Sequence, residues 1–456
     1  MLELMPLFLF LAVCGVLLWG YPVAFSLAGT SLIFVSVGAL SGVIEPVQLN
    51  FMAGRLFKIM DRTTLIAVPL FIFMGLMLER TKIAEDLLES MATLFGKLRG
   101  GMGFAVTIVG MLLAASTGIV GATVVTMGLL SLPAMLKRGY KPELSTGVIC
   151  ASGTLGQIIP PSIVLVLLGD VLANAMTEAK GQGLETEQVA SIGDLFMGAV
   201  IPGMLLVVGY MLYIAFVAWR RPNDAPAMEI DDKDLKHAIW LALKSLSLPL
   251  ILIVAVLGSI LYGIATPTEA AAIGAFGAIV LAILRKQFTL ARLIDVMQST
   301  VKTTSMVFLI LIGASIFSLV FRMYGGDEMI RHFFTDLPGG LFTALLIVMV
   351  VMFLLGFILD FIEITFVIVP IIGPVLLLMG ADPIWLGVLI AINLQTSFLT
   401  PPFGFALFYL RGVAPKEIQT AQIYRGVIPF IGIQVIVLAL IAFWPQLSTW
   451  LPSAVG

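Results

Sequence analysis

Four short runs of polar residues and glycines lie inside long apolar segments of this chain. They are Ala115–Gly118, Ser152–Gln157, Leu359–Glu363 and Asn393–Thr400. The second and fourth runs each precede a Pro-Pro pair, which should break a helix because proline lacks an N–H and clashes with the preceding turn. A broken helix exposes carbonyl oxygens at one end and N–H groups at the other. With hydroxyls nearby, these two kinds of end suit a dehydrated Na⁺ and a carboxylate, respectively.

Close packing is the alternative interpretation of the serines, threonines and glycines, since small residues let membrane helices approach each other. Acidic residues differ, because a carboxylate inside a membrane is costly and is a functional candidate by default. Asp360 and Glu363 are such candidates, although they could instead be solvated at the wet mouth of a hairpin. Asp170, well inside the helix predicted after Pro161, has the same two interpretations.

The interrupted segments belong to a repeat. Five prolines and glycines of the first half recur in the second half at a common offset of 241 residues. The pairs are Pro133 with Pro374, Gly139 with Gly380, Pro142 with Pro383, Pro160 with Pro401, and Pro161 with Pro402. A weaker register, at an offset of 245, relates Pro22 and Gly29 to Pro267 and Gly274. Repeated, interrupted hydrophobic segments indicate the binding site of a secondary transporter.

Composition restricts the class of protein. With 60% hydrophobic residues, 11% charged residues and a mean hydropathy of +1.11, the chain is predicted to cross the lipid bilayer many times. A net charge of −2 argues against a nucleic-acid partner, which usually requires a basic patch. The chain has no Walker-type glycine loop, no HExxH motif and no Gly-x-Ser-x-Gly elbow. Neither direct use of ATP nor an enzymatic activity is therefore expected.

Hydrophobic periodicity predicts an all-α fold of two copies, with residues 1–228 as the first repeat and residues 233–456 as the second. The first repeat contains scaffold spans within 4–79, a re-entrant hairpin at 103–136, a discontinuous helix at 142–176 and a span at 194–219. The second contains scaffold spans within 238–322, a hairpin at 341–379, a discontinuous helix at 383–411 and a span at 427–450. Each copy has an odd number of full spans, so the two copies should be inverted relative to each other.

Basic residues predict the orientation of this arrangement. Most lysines and arginines fall on one side, which identifies that side as cytoplasmic and places both termini in the periplasm. The opposite side receives six basic residues: Arg55, Lys58, Arg62, Lys180, Arg322 and Arg331. Segments 45–60 and 82–98 mix charged and apolar residues at helical spacing, and they are predicted to be arms lying at the interface. Short loops with a helical turn are the alternative for both segments.

Several motifs resemble the large membrane subunit of tripartite ATP-independent periplasmic (TRAP) transporters. They are Ala151–Ser162 (ASGTLGQIIPPS), Ala265–Ala272 (ATPTEAAA), Asn393–Gly404 (NLQTSFLTPPFG), Leu359–Asp360 and Lys137–Tyr140 (KRGY). The resemblance implies a Na⁺-driven importer of an organic anion, typically a carboxylate, in the inner membrane of a bacterium or archaeon. It also implies a periplasmic substrate-binding protein and a small four-helix membrane subunit as partners, with an elevator motion and no organic cofactor.

The resemblance also implies site residues. Sodium sites of the family lie between each hairpin tip and the adjacent helix break. Carried over by position, the first site would use Ser116, Thr117, Ile119, Gly156, Ile159 and Pro161, largely through backbone oxygens. The repeat offset places its counterpart at Ile358, Asp360, Ser397, Thr400 and Pro402. Polar side chains beside the breaks are the expected substrate contacts: Thr154, Gln157, Ser162, Glu363, Asn393, Gln395 and Thr396.

Two hairpin sequences depart from the family pattern. Where the family often reads Ser-Gly-Ser-Ser, this chain has Thr117-Gly118-Ile119-Val120, so its first sodium site must rely on carbonyls or on Ser116. Where the second hairpin often carries Thr-Pro, this chain has Ile362-Glu363. A buried Glu363 could couple a proton or hydrogen-bond a substrate hydroxyl.

Two other transport classes stay open at this point. A stand-alone Na⁺/dicarboxylate carrier of the same architecture would work without a binding protein, and neighbouring genes for the two partner proteins would discriminate against it. A channel is a remote alternative, because channels need no inverted repeat with two hairpins. The identity of the anion, the ion stoichiometry and the oligomeric state are not encoded in any motif of the chain.

Overall fold

A computed structural model describes residues 4–81, 83–118, 120–185, 191–228 and 232–455. Every regular element in these ranges is a helix, which confirms the predicted all-α class. The first half contains α1 Met5–Leu18, α2 Val23–Leu40, α3 Asn50–Met60, α4 Ala67–Arg80, α5 Ile83–Leu94, α6 Gly101–Thr117, α7 Val120–Lys137, α8 Pro142–Thr154, α9 Ile163–Gly181 and α10 Ile192–Arg220.

The second half contributes eleven further helices in the described part of the chain. They are α11 Asp232–Leu261, α12 Pro267–Leu284, α13 Leu290–Met323, α14 Gly326–Thr335, α15 Gly340–Leu355, α16 Phe361–Val367, α17 Val369–Leu378, α18 Pro383–Leu399, α19 Phe405–Val413, α20 Thr420–Phe443 and α21 Gln446–Val455. Short 3₁₀ turns cover Pro46–Leu49, Thr63–Ile66, Leu155–Gln157 and Pro222–Asp224.

Prolines begin several of these helices at the positions that the repeat singled out. Pro142, Pro267 and Pro383 each occupy the first turn of their helix, where the missing N–H would have no partner in any case. The side chain of Asp382 accepts hydrogen bonds from the N–H groups of Ile384 and Trp385, both at 2.9 Å, and so caps α18. Local sequence thus determines where both discontinuous helices start.

Seven helical stretches in the described residues are long and apolar enough to cross a membrane, which makes this a multi-pass membrane protein. They are Val23–Leu40, Thr63–Arg80, Val120–Lys137, Ile192–Arg220, Pro267–Leu284, Leu290–Met323 and Thr420–Phe443. Segments 45–60 and 82–98 contain α3 and α5, so each forms a helix of its own rather than a loop with a single helical turn.

Three boundaries differ from the prediction. The span predicted at 427–450 is two helices, α20 and α21, because Pro445 cannot continue the first of them. The return arm of the second hairpin is bent by 56° between α16 and α17, where the ring of Pro370 cannot fit against the preceding turn of a straight helix. The span predicted at 301–322 is the second part of a longer helix, α13.

Helices of the two halves interleave. α4 packs against α12 and α13, α2 against α13, and α8 against α20, while α17 contacts α9 and α19 contacts α7. A close crossing joins Gly147 of α8 to Gly426 of α20. A Cβ on Gly147 would overlap the carbonyl oxygen of Gly426, and a Cβ on Gly426 would overlap that of Glu143. The two helices therefore touch through their backbones, as small residues permit in membrane proteins.

Candidate functional site

The first hairpin tip lies against the first helix break. α6 ends at Gly118, which adopts the left-handed region with φ +62° and donates its N–H to the carbonyl of Ala114 at 2.9 Å. A Cβ on Gly118 would come within 3.1 Å of the backbone N of Ile163, the first residue of α9. A Cβ on Gly156, in the break itself, would come within 3.0 Å of the carbonyl oxygen of Ala114. Glycine at both positions allows the tip to contact the two ends of the broken helix.

The sequence-predicted residues of the first sodium site surround this contact. Gly156, Ile159 and Pro161 all lie in the break between α8 and α9. Ser116 and Thr117 form the last turn of α6, and their side chains lie outside the described part, as does the whole of Ile119. The backbone geometry therefore brings the end of α6 and the break together, and the sodium site itself stays a prediction.

The second hairpin tip meets the second break in the same way. A Cβ on Gly356, at the end of α15, would overlap the hydroxyl of Ser397, so the turn backbone lies directly on that residue of α18. Ile358 and Asp360 continue the turn, and Ile358 is 46% exposed. Thr400 and Pro402 lie in the break between α18 and α19. All five residues predicted for the second sodium site thus belong to one tip-and-break pair.

Three hydroxyls near the second break all donate their protons to backbone carbonyls three or four residues earlier in the chain. Those of Thr396, Ser397 and Thr400 donate to carbonyls of their own helix turn, at 2.8, 2.8 and 2.7 Å. Each hydroxyl oxygen keeps lone pairs that can accept a hydrogen bond or bind a cation. No group of three or more His, Cys, Asp or Glu side chains in the described residues could hold a metal ion. A cation site here would consist of hydroxyl, carbonyl and single carboxylate oxygens, a donor set suited to Na⁺ rather than to a transition metal.

Asp360 and Glu363 form a capping box at the start of α16. Asp360 accepts a hydrogen bond from the N–H of Phe361 at 2.6 Å, and Glu363 accepts one from the N–H of Asp360 at 2.9 Å. Glu363 is only 8% exposed. Both carboxyl groups therefore accept backbone N–H groups at the amino-terminal end of α16, which leaves fewer free N–H groups at that helix end.

Two buried polar side chains that the predicted repeat makes equivalent contact each other. Gln395 donates from Nε2 to Oγ1 of Thr154 at 3.5 Å, and these residues are 241 positions apart, the repeat offset itself. The hydroxyl of Tyr210 interacts with both side chains and accepts a hydrogen bond from Nε2 of Gln434 at 2.8 Å. All four residues are fully buried. Tyr210 and Gln434 were missed in the sequence, where isolated polar residues in apolar spans were the available signal.

Gln157 is the most unusual polar residue of the break. Its side chain is fully buried, and neither its Nε2 nor its Oε1 has a hydrogen-bond partner among the described residues. An unpartnered buried amide costs about 1–3 kcal/mol. Ser162 donates to the carbonyl of Gln157 at 2.9 Å and caps α9, so the surrounding backbone holds the residue in place. The free amide is therefore the strongest indication of a ligand in the structure.

Two other polar residues singled out in the sequence have structural partners. Asn393 donates to the carbonyl of Met349 at 2.9 Å and so ties α18 to the first arm of the second hairpin. Asp170 pairs with Arg62 at 2.8 Å and accepts a hydrogen bond from Thr64 at 3.0 Å. Asp170 is thus a buried residue of an ion pair that links α9 to the turn before α4, rather than a solvated one.

Comparison with known proteins decides the family. The model of a family described as "Tripartite ATP-independent periplasmic transporter, DctM component" matches residues 9–447. The chain belongs to this family. It is therefore the large membrane subunit of a TRAP transporter, and the resemblance inferred from the motifs is confirmed.

Relatives of this TRAP subunit align over nearly their whole length. A protein of Rhodobacter capsulatus named C4-dicarboxylate TRAP transporter large permease protein DctM is 30% identical over 452 residues, 99% of each chain. A Vibrio cholerae protein named sialic acid TRAP transporter large permease protein SiaM is 29% identical over 440 residues, 96% of each chain. The crystal structure of the YdaH transporter of Alcanivorax borkumensis is similar in fold, with a TM-score of 0.63 at 14% identity, covering 95% of this chain and 98% of that one.

Proposed function

We propose that this TRAP subunit is the permease of a Na⁺-coupled importer that carries an organic carboxylate from the periplasm to the cytoplasm. The observation that carries the proposal is that the two discontinuous helices, each with a turn of the adjacent helix pair against it, contact each other through the buried side chains of Thr154 and Gln395. The names of the relatives, which concern a C4-dicarboxylate and a sialic acid, support a carboxylate as the cargo. Family membership favours the tripartite system over a stand-alone carrier or a channel.

Sodium would bind at the two tip-and-break contacts. The first site would take backbone oxygens around Gly156, Ile159 and Pro161 together with Ser116, Thr117 and Ile119. The second would use Ile358, Asp360, Ser397, Thr400 and Pro402. Its support is the set of hydroxyls that donate to their own helix and so present oxygen lone pairs to a cation. Positive charge bound at both tips would close the hairpins around an anion.

The anion would bind on the side of the first repeat. α16 has its amino-terminal end capped by Asp360 and Glu363, and this capping disfavours a further carboxylate there. In the first repeat, the residues 241 positions before Asp360 and Glu363 are Ile119 and Ala122, and neither has a charged side chain. The amide of Gln157, which has no partner among the described residues, lies in the adjacent break, where Nε2 can donate to a carboxylate oxygen. Thr154, Ser162, Gln395 and Thr396 would provide hydroxyl and amide contacts to the rest of the substrate, while Asn393 and Glu363 would shape the pocket.

The distribution of charge supports the proposed orientation, and family membership supports the proposed partners. Four basic residues assigned to the periplasmic side, Arg55, Lys58, Arg62 and Arg322, line a single cavity, and Arg331 lines a neighbouring one. Their clustering supports a common face and hence periplasmic termini. A periplasmic binding protein would deliver the substrate at this face, and a small membrane subunit would brace the scaffold helices α2, α4, α12 and α13. The hairpins and broken helices would move against that scaffold as an elevator.

Uptake into proteoliposomes tests the proposal. The large subunit, reconstituted with the small subunit and supplied with the binding protein, is expected to accumulate a labelled carboxylate only when an inward Na⁺ gradient is present. Small dicarboxylates, keto acids, sugar acids and sulfonates should be screened as cargo. Equal uptake with K⁺ replacing Na⁺ would rule out the sodium coupling, and uptake that does not need the binding protein would identify a stand-alone carrier.

Replacement of Ser397 tests the sodium residues directly. Ser397→Ala should raise the Na⁺ concentration for half-maximal uptake about tenfold, because one oxygen ligand of about 1.5 kcal/mol is lost. Ser145→Ala is the matched control, since Ser145 is equally buried and also donates to its own helix, at 3.1 Å from the carbonyl of Lys141, but lies far from the break. An unchanged Na⁺ dependence in Ser397→Ala would remove this residue from the site.

A further inference from the structure

A cavity of about 400 Å³ lies between α3, α9, α13 and the bend that joins α16 to α17. Four basic side chains line it, Arg55, Lys58, Arg62 and Arg322, and Glu178 is the only carboxylate among its described lining residues. We call this space the basic cavity. A volume of this size is typical of sites for small molecules rather than for a protein surface.

The positive charge of the basic cavity is only partly neutralised. Arg322 binds both carboxylate oxygens of Glu178, at 2.5 and 2.6 Å, and also pairs with Asp327 at 3.3 Å. Arg62 is engaged by Asp170. No carboxylate in the described part of the chain lies within ion-pair distance of Arg55 or Lys58. The cavity therefore has an excess of positive charge located on α3.

Of the two basic residues on α3, Arg55 is the more buried. Its side chain is half-buried, and burial together with the nearby Arg322 lowers its pKa. A guanidinium in this environment would be stabilised by an added anion, and its fork of N–H groups matches the two oxygens of a carboxylate. Lys58, one turn further along α3, is exposed and can provide a second contact.

The basic cavity is separate from the helix breaks. Asn174 of α9 lines the cavity, and it lies about 18 Å along the helix axis from Ser162, which caps α9 at the break. The cavity also borders the second hairpin, through Phe366 and Pro370. An anion held here would lie beside a proposed moving element without touching either tip.

We propose that the basic cavity is a second anion site, where a small organic carboxylate from outside binds to Arg55 and Lys58 before it reaches the hairpin tips. This inference rests on the proposed function, since it assigns the same class of cargo to an earlier position on its path. An anionic lipid headgroup has related chemistry and is distinguished by the experiment below. A docking surface for an acidic partner protein is a different possibility, which the experiment would also reveal.

Thiol labelling tests the site without requiring transport. Ser315 lines the cavity, so Ser315→Cys in a Cys14→Ala, Cys150→Ala background places a small reactive group there and keeps every basic residue. Each reaction rate is expressed relative to that of the same reagent with free cysteine, because an anionic thiolate by itself favours a cationic reagent. On this scale a negatively charged methanethiosulfonate should react about tenfold faster than a positively charged one, because a basic cleft concentrates anions. Succinate should slow the labelling with a saturable dependence on its concentration, and adding Arg55→Gln should remove both effects.

Lys180→Cys in the same background is the control. Lys180 lies in the last turn of α9, is exposed and does not line the cavity. Its labelling should be insensitive to succinate and to Arg55→Gln. Equal reaction rates of the two reagents at Ser315→Cys, or no protection by succinate in vesicles of neutral lipid, would overturn the proposal. Protection by anionic lipid but not by succinate would assign the cavity to a lipid headgroup and would overturn it as well.

Two further outcomes separate this inference from the proposed function. If Arg55→Gln weakens capture of the purified binding protein while succinate protection at Ser315→Cys is unchanged, the basic residues form a docking surface and the proposed site is wrong. If succinate protects the thiol but uptake does not depend on Na⁺, the second anion site stands and the proposed coupling fails. Na⁺-dependent uptake without any protection would remove the second site alone.

Discussion

Gln157→Leu is expected to reduce uptake strongly while leaving the protein at least as stable as the wild type. The amide of Gln157 is fully buried and has no partner in the described chain, so its removal relieves a desolvation cost of about 1–3 kcal/mol. Leucine has a similar volume and needs no partner. A hydrogen bond to a charged substrate is worth about 1.5–3 kcal/mol, so uptake should fall by about 10- to 150-fold. Thermal unfolding in detergent and uptake into proteoliposomes measure the two effects.

A second buried, unpartnered side chain provides the control for this prediction. Ser131 lies in α7, several turns from the hairpin tip, and its hydroxyl also lacks a partner among the described residues. Ser131→Ala should keep both uptake and stability close to the wild type. Normal uptake by Gln157→Leu would show that the amide does not contact the substrate. A lower unfolding temperature would show that the amide has a structural partner, such as an ordered water molecule.

Gly426→Ala is expected to prevent the accumulation of folded protein. The new Cβ would overlap the carbonyl oxygen of Glu143, and backbone atoms of α8 cannot move aside as a flexible side chain could. Overpacking of this kind costs about 1–3 kcal/mol and occasionally more, and a backbone contact belongs at the upper end of that range. Uptake by any folded fraction should also fall, because α8 carries the first helix break. Fluorescence-detected size-exclusion chromatography and thermal unfolding measure the loss.

The matched control lies in the same helix. Gly432 is exposed on α20, and nothing lies within 4 Å of a Cβ added there. Gly432→Ala should be neutral or stabilising by up to about 1 kcal/mol, because alanine favours a helix over glycine. A Gly426→Ala protein that unfolds at the wild-type temperature would contradict the backbone contact between α8 and α20.

The breaks could be located from sequence because their causes are local. A pair of prolines cannot continue a helix, and a glycine next to them allows a close approach, whatever the rest of the chain does. The first part of each discontinuous helix ends before its Pro-Pro pair, at Thr154 and at Leu399. Predicted helix boundaries that depend on packing were less accurate. Examples are the start of α13, which begins before the predicted span, and the bend between α16 and α17.

The hydrogen-bond partners of side chains within the site could not be predicted from the sequence. Asn393 was predicted to bind substrate, and the structure gives its amide a partner on α15. Glu363 was predicted as a substrate or proton group, and its carboxylate caps the backbone of its own hairpin. Whether a polar side-chain atom has a hydrogen-bond partner depends on all of its neighbouring residues. These neighbours belong to helices that are far apart in the chain.

By itself, the sequence determined a multi-pass helical protein with a repeated pattern of interruptions, since hydrophobicity, proline and glycine act within single segments. The motifs around those interruptions also determined the family. Only the tertiary structure decided that Thr154 contacts Gln395, that the amide of Gln157 has no partner in the described part of the chain and that Arg55 and Lys58 share a cavity with Arg322. Such contacts join residues far apart in the chain, and the packing of the helices alone brings them within a few ångströms of each other.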